Sequence, residues 1–188
     1  MTRHAAVPRR LIGASLLAGA TVFLVSACAN FAPLPVVDGN DILSGRLAIR
    51  IEPAGSDAAR AFSAAFDLRG SSAAGSLALS TPLGSTLAQA RWGAGQVSLV
   101  TPQGRRDFTS VDALTREVLG ESVPVEAWFD WLRGRPWPGA PSSDPAPVGF
   151  EQLGWRVDLS RFASGSVVAS RSRPAPIVTV RIQLEAAS

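Results

Sequence analysis

The 188-residue sequence predicts a mainly β domain, an antiparallel meander of about nine strands rolled into a strongly curved or partly closed barrel with two short helices across its mouth. Three observations carry this expectation. Six short segments between residues 45 and 108 read as strands, most of them alternating apolar with polar residues and separated by turn formers. The apolar spacing then becomes helical over two stretches, and three further alternating segments close the chain.

Each element has its own signature. In residues 45–52, Leu47, Ile49 and Ile51 face one way, and Arg46, Ala48 and Arg50 face the other. Residues 61–69 set Phe62, Ala64, Phe66 and Leu68 against Ser63, Ala65, Asp67 and Arg69, and Gly70-Ser71-Ser72 turns the chain. Leu77 and Leu79 share a face in residues 75–80. Strands at 86–92 and 96–101 follow, joined by Gly93-Ala94-Gly95, and Pro102-Gln103-Gly104 leads into a short strand at 105–108. The first helix is expected over about 111–119, opened by a capping box of Thr109 with Asp112 and stopped by Gly120. It carries Val111, Leu114, Val118 and Leu119 on one side. Pro124 suits the start of a second, whose Val125, Trp128, Phe129 and Leu132 recur at helical spacing before Gly134. Residues 135–149 hold five prolines and read as an irregular loop. Strands resume around Trp155, Val157 and Leu159, then at about 166–171, then over 177–184.

The first thirty residues have a different character. Arg3, Arg9 and Arg10 precede an uncharged run from Leu11 to Val25, too short for a spanning helix. The run ends Ser26-Ala27-Cys28, with small residues before the chain's single cysteine. Residues 1–27 are therefore expected to be a lipoprotein signal peptide, with Cys28 the lipidated first residue of the mature protein. Ala29, in place of the aspartate that retains lipoproteins in the inner membrane, predicts the periplasmic face of the outer membrane. The Pro-rich residues 28–42 read as a tether, and 43–188 as one domain.

Composition excludes several classes. The isoelectric point near 10.8 suggests nucleic acid, but three of the 18 arginines fall within residues 1–27, leaving arginines and acids balanced at 15 each. A basic nucleic-acid footprint is absent. The only histidine, His4, also falls within the signal segment, so the mature chain lacks the residues for Ser-His-Asp or Cys-His catalysis and for a His- or Cys-ligated zinc. No cofactor and no metal are expected. A carboxylate-pair hydrolase remains formally open, though the acids are scattered and no pair stands out.

Several stretches together resemble the LolB family, outer-membrane receptors that take lipoproteins from the periplasmic carrier LolA. They are Gly45-Arg46-Leu47-Ala48-Ile49-Arg50, then Ser80-Thr81-Pro82-Leu83-Gly84-Ser85 with Leu87-Ala88, then Pro124 through Trp131-Leu132-Arg133-Gly134-Arg135-Pro136, then Phe150-Glu151-Gln152-Leu153-Gly154-Trp155-Arg156-Val157. The family often ends in an aromatic segment, whereas this chain closes Glu185-Ala186-Ala187-Ser188. The resemblance implies an incomplete antiparallel barrel of about 9–11 strands, a helical lid inserted after the sixth, and a hydrophobic cavity for acyl chains. It implies as partners a LolA-like carrier, lipoprotein acyl chains and outer-membrane lipid, for a chain acting as a monomer and not as an enzyme.

The candidate residues follow. Leu83, between Pro82 and Gly84, stands at a turn. A leucine there either folds back onto the core or protrudes, and the resemblance implies a protruding, membrane-inserting loop. Leu47, Ile49, Phe62, Phe66, Leu77, Leu79 and Trp155 are inward-face candidates, and Trp128, Phe129 and Leu132 the underside of the lid. Alternation alone leaves two readings of these positions, cavity wall or packed core. Arg46 and Arg50 read as solvated strand residues. The expected function is acceptance of lipoproteins from the carrier and their insertion into the outer membrane. The alternative is an assembly lipoprotein with a filled barrel that binds only proteins.

Overall fold

The computed structural model describes residues 42–53, 55, 58–144 and 148–185. The expected signal peptide, Cys28 and all of the tether before Ile42 lie outside the described residues. The described chain is one antiparallel sheet of 11 strands with short helices between its sixth and seventh. The strands are β1 (Ile42–Glu52), β2 (Arg60–Gly70), β3 (Gly75–Ser80), β4 (Thr86–Gly93), β5 (Gln96–Thr101), β6 (Gly104–Phe108), β7 (Ser142–Ser143), β8 (Gly149–Gln152), β9 (Trp155–Asp158), β10 (Ser166–Arg171) and β11 (Ile177–Leu184). The helices are α1 (Val111–Leu119) and α2 (Trp128–Trp131).

The spatial order is β6-β5-β4-β3-β2-β1-β11-β10-β9-β8-β7. The first and last strands pair at the centre, from Gly45 opposite Leu184 to Glu52 opposite Ile177. Gly45 is required there, because a Cβ would stand 2.1 Å from the Gln183 carbonyl oxygen. The two edges, β6 and β7, come from the middle of the sequence, and the ladder does not close between them. This is the incomplete barrel the resemblance implied, and the helices connect its two free edges.

The period-2 reading sets the faces correctly. Leu47, Ile49 and Ile51 are buried, as are Ala64, Phe66 and Leu68, and Val178, Val180 and Ile182. Their neighbours Arg46, Ala48 and Arg50 are exposed. These inward sets converge on the concave side, where they meet residues of the helical segment.

Three expectations need correction. The Thr109–Asp112 capping box does not form. Ser110 is the N-cap, with extended backbone and its Oγ accepting from the Ala113 N–H at 3.0 Å, while Asp112 pairs with Arg116 and Ser122. The expected second helix is a 3-10 turn over Val125–Ala127 followed by the four-residue α2. Its seven residues are few for a helix, and its Val, Trp and Phe are indifferent formers. Burial on every side replaces an amphipathic stripe, with Val125, Ala127, Trp128, Phe129, Asp130, Trp131 and Leu132 all inside. Finally, five strands follow the helices instead of three. The Pro-rich loop contains the two-residue β7, and β8 escapes the pattern because Gln152, a polar residue, occupies an inward position.

Candidate functional site

The helical segment divides the interior into a filled part and an open part. In the filled part α2 bridges both halves of the sheet. Phe129 meets Trp92 of β4 edge-on at 6.0 Å, and Trp131 packs against Phe150 of β8 and Trp155 of β9 at 6.3 and 6.4 Å. Gln152 fixes this packing with four hydrogen bonds. Its Oε1 accepts from Trp131 Nε1 at 2.7 Å and the Trp137 N–H at 2.9 Å, and its Nε2 donates to the Trp137 and Ala140 carbonyls at 2.7 Å each. A buried amide fully paired in this way holds the Pro-rich loop without an orphaned polar atom.

The open part lies under α1. Leu47, Ile49, Phe62, Leu77 and Leu79 line it from the sheet, with Ala88, Ala90, Trp92 and Leu99 beside them. Val111, Leu114, Val118 and Leu119 line it from α1, with Val123, Val125 and Trp128 from the segment that follows. Its interior volume is about 80 Å³, open on one side, and Thr115 is the one polar residue among the described residues of its wall. The space continues outward past Ile49, Phe62, Leu79, Ala88, Leu99, Val118 and Leu119 into an opening of about 340 Å³ rimmed by Ile51, Arg60, Leu87 and Thr101. Small side chains at Ala88 and Ala90, where a packed sheet carries larger ones, keep it open.

α1 is strapped over this space by polar contacts at its C-terminal end. The Thr115 Oγ1 accepts the Val123 N–H at 3.2 Å. Arg171 of β10 donates to the Glu121 carboxylate at 2.5 Å and to the Ser122 carbonyl at 3.4 Å, and it stacks 5.6 Å over the Trp155 ring. The helix roof is thereby tied to the far half of the sheet.

The opening faces the end of the barrel where β1, β3 and β5 finish. The β3–β4 turn stands at that end. The Gly84 N–H donates to the Thr81 carbonyl at 2.9 Å, and the Thr81 N–H donates to the Ser85 carbonyl at 2.9 Å. Gly84 takes φ +83, the left-handed residue that closes such a turn, and the ladder shifts register at Leu79/Ser80. Pro82 and Leu83 form the tip, and Leu83 is 95% exposed. It does not fold back onto the core.

The structure thus separates the sequence-predicted residues. Leu47, Ile49, Phe62, Leu77, Leu79 and Trp128 meet around the cavity. Phe66, Phe129, Leu132 and Trp155 are buried in the core but do not line it. Ala88, Ala90, Trp92 and Leu99 were not singled out, although the phase of β4 and β5 contained the signal.

A family model described as outer membrane lipoprotein LolB matches residues 42–186. Three relatives carry the name outer-membrane lipoprotein LolB. The protein from Bordetella petrii is 33% identical over 178 residues, covering 88% of this chain and 89% of its own length. That from Bordetella pertussis is 34% identical over 179 residues, 86% of this chain and 89% of its own. That from Chromobacterium violaceum is 33% identical over 147 residues, 74% of this chain and 78% of its own. An open 11-stranded sheet, an apolar cavity roofed by a helix and a family match spanning every described element lead to one conclusion: this chain belongs to the LolB family of outer-membrane lipoproteins.

Proposed function

We propose that this chain accepts lipoproteins from a LolA-type periplasmic carrier, holds their acyl chains in the cavity under α1, and releases them into the outer membrane. It acts as a monomer, without a cofactor, anchored by the lipid on Cys28. The observation that carries the reading is that an apolar cavity opens at the same end of the barrel as a bare leucine. Burial of acyl chains supplies the binding energy, about 0.8 kcal/mol per CH₂. Transfer then follows the difference in affinity between carrier, receptor and bilayer. The continuity of the apolar interior with the mouth weighs against the filled-barrel alternative, and the scarcity of polar groups in its wall weighs against hydrolysis.

The test uses purified protein, carrier loaded with a lipoprotein, and liposomes. Leu83→Glu should leave the melting temperature unchanged, because a side chain 95% exposed makes no core contact. Uptake from the carrier should persist. Delivery to liposomes should fall about three- to fivefold, since a charge at the bilayer interface costs up to about 1 kcal/mol, rising with depth. Full delivery by this variant overturns the role of the tip, and failure of wild-type protein to take cargo overturns the function.

A further inference from the structure

We propose that Leu153, at the tip of the β8–β9 hairpin, is a second membrane-contacting point that seats the cavity mouth on an anionic bilayer together with Leu83; this rests on the function proposed above. Gln152 pairs with Trp155, so Leu153 and Gly154 form a two-residue turn. Their φ values are +55 and +75, both left-handed, the geometry that favours Asn-Gly. A leucine is strained in this conformation. Core packing does not repay the strain, because the residue is 46% exposed. Among the described residues the other non-glycine residue with positive φ, Ala94, sits in the β4–β5 turn at the opposite end, where the side chain is small. The bulky, strained and exposed residue is thus at the end that bears the mouth.

The placement suits a flat surface. Leu83 lies between β3 and β4, and Leu153 between β8 and β9. Six strand spacings separate these hairpins along the sheet, about 29 Å at 4.8 Å each. One contact lets a domain pivot freely, whereas two contacts on different halves of the curved sheet restrict it to tilting about the line that joins them. The connections between them carry the charge. Arg60 on the rim and Arg173 in the β10–β11 loop are exposed, and neither has an ion pair among the described residues. The neighbouring described acids Glu52, Glu121 and Glu151 are each paired to an arginine, and Asp57 of the β1–β2 connection lies outside the described residues. The rim therefore presents cations between two leucine tips, which matches a layer of lipid phosphates over hydrocarbon.

The test is Leu153→Asn in the full-length, processed protein, beside wild type, Leu153→Met and Leu83→Glu. The asparagine fits the left-handed turn, so its melting temperature should hold or rise. Uptake from the carrier should be unchanged. Delivery to vesicles containing phosphatidylglycerol should fall three- to tenfold, Leu153→Met should restore it, and wild-type delivery should be slower to vesicles of neutral lipid alone. A lowered melting temperature would mean that Leu153 packs in the fold. A loss of uptake would mean that the carrier protein covers it, and undiminished delivery would mean that nothing does; each overturns the proposal. Equal wild-type delivery to neutral and anionic vesicles overturns the anionic-lipid assignment. If Leu83→Glu fails to deliver while Leu153→Asn delivers fully, only this inference falls. If Leu83→Glu delivers fully, the reading beneath it falls.

Discussion

Ala88→Phe puts the cavity itself to the test. Ala88 is half-buried on β4, opposite Leu79 of β3, and it belongs both to the inner cavity and to its opening. A phenylalanine there projects a six-carbon ring into the throat. If each ring carbon displaces one acyl carbon, the loss of burial approaches 5 kcal/mol at about 0.8 kcal/mol per CH₂. Partial rearrangement of the ligand reduces this to about 1.5–3 kcal/mol, or roughly 10- to 100-fold weaker binding. The effect on the fold has the opposite sign from that in a solid core. Overpacking a filled interior costs about 1–3 kcal/mol, whereas a ring entering empty apolar space adds contacts. Two measurements follow, displacement of an environment-sensitive fluorophore by a long-chain fatty acid, and the calorimetric melting temperature. The expected result is weaker acyl binding with a melting temperature unchanged or raised. Unchanged affinity would refute acyl occupancy of the throat. A fall of several degrees would refute the emptiness of the site, since 1 kcal/mol shifts a domain of this size by about 2–4 °C.

Two further outcomes are expected. Gln152→Leu removes four hydrogen bonds and leaves the Trp131 indole and three backbone groups of the Pro-rich loop short of partners, so urea unfolding should show a loss of about 3–5 kcal/mol; a loss under 1 kcal/mol would contradict the anchoring role. Burial pushes the Glu126 carboxyl above its usual 4.5, and the nearby Asp112 charge adds to this against an opposing backbone hydrogen bond. The folded state therefore holds the proton more tightly than the unfolded chain, and the stability this gives is lost as pH rises through the folded pKa. Glu126→Gln should raise the melting temperature at neutral pH, and the gain should vanish below about pH 4; a gain independent of pH would rule out desolvation as its cause.

Strand phase was the most legible feature of the sequence. Leu47, Ile49 and Ile51 against Arg46, Ala48 and Arg50 admit one register, because a slip of one residue would bury two arginines. Leu83 between Pro82 and Gly84 fixed the turn, though not the direction of the side chain, which depends on how far the hairpin extends beyond the core. The hidden parts have specific causes. Gln152 is inward, polar and fully paired by residues 12 to 21 positions away, so local patterning does not mark β8 as a strand. Phe66 and Leu77 alternate equally well, yet Leu77 lines the cavity and Phe66 does not. That difference depends on how the helical segment fills the interior, a tertiary fact that strand periodicity does not carry.

The open seam between β6 and β7 has a mechanical consequence. In a closed barrel, girth is fixed by strand number and stagger, and swelling the lumen breaks ladder bonds. Here the circumference is interrupted, and the two margins resist recruitment of a further strand: β6 is arginine-rich and exposed, and β7 is two residues long. Separating them stretches side-chain packing around α2 and the Arg171–Glu121 tie while every ladder hydrogen bond stays intact. The enclosed volume can thus adjust to guests of different bulk, as a hoop with a gap accepts rods that a welded ring would refuse.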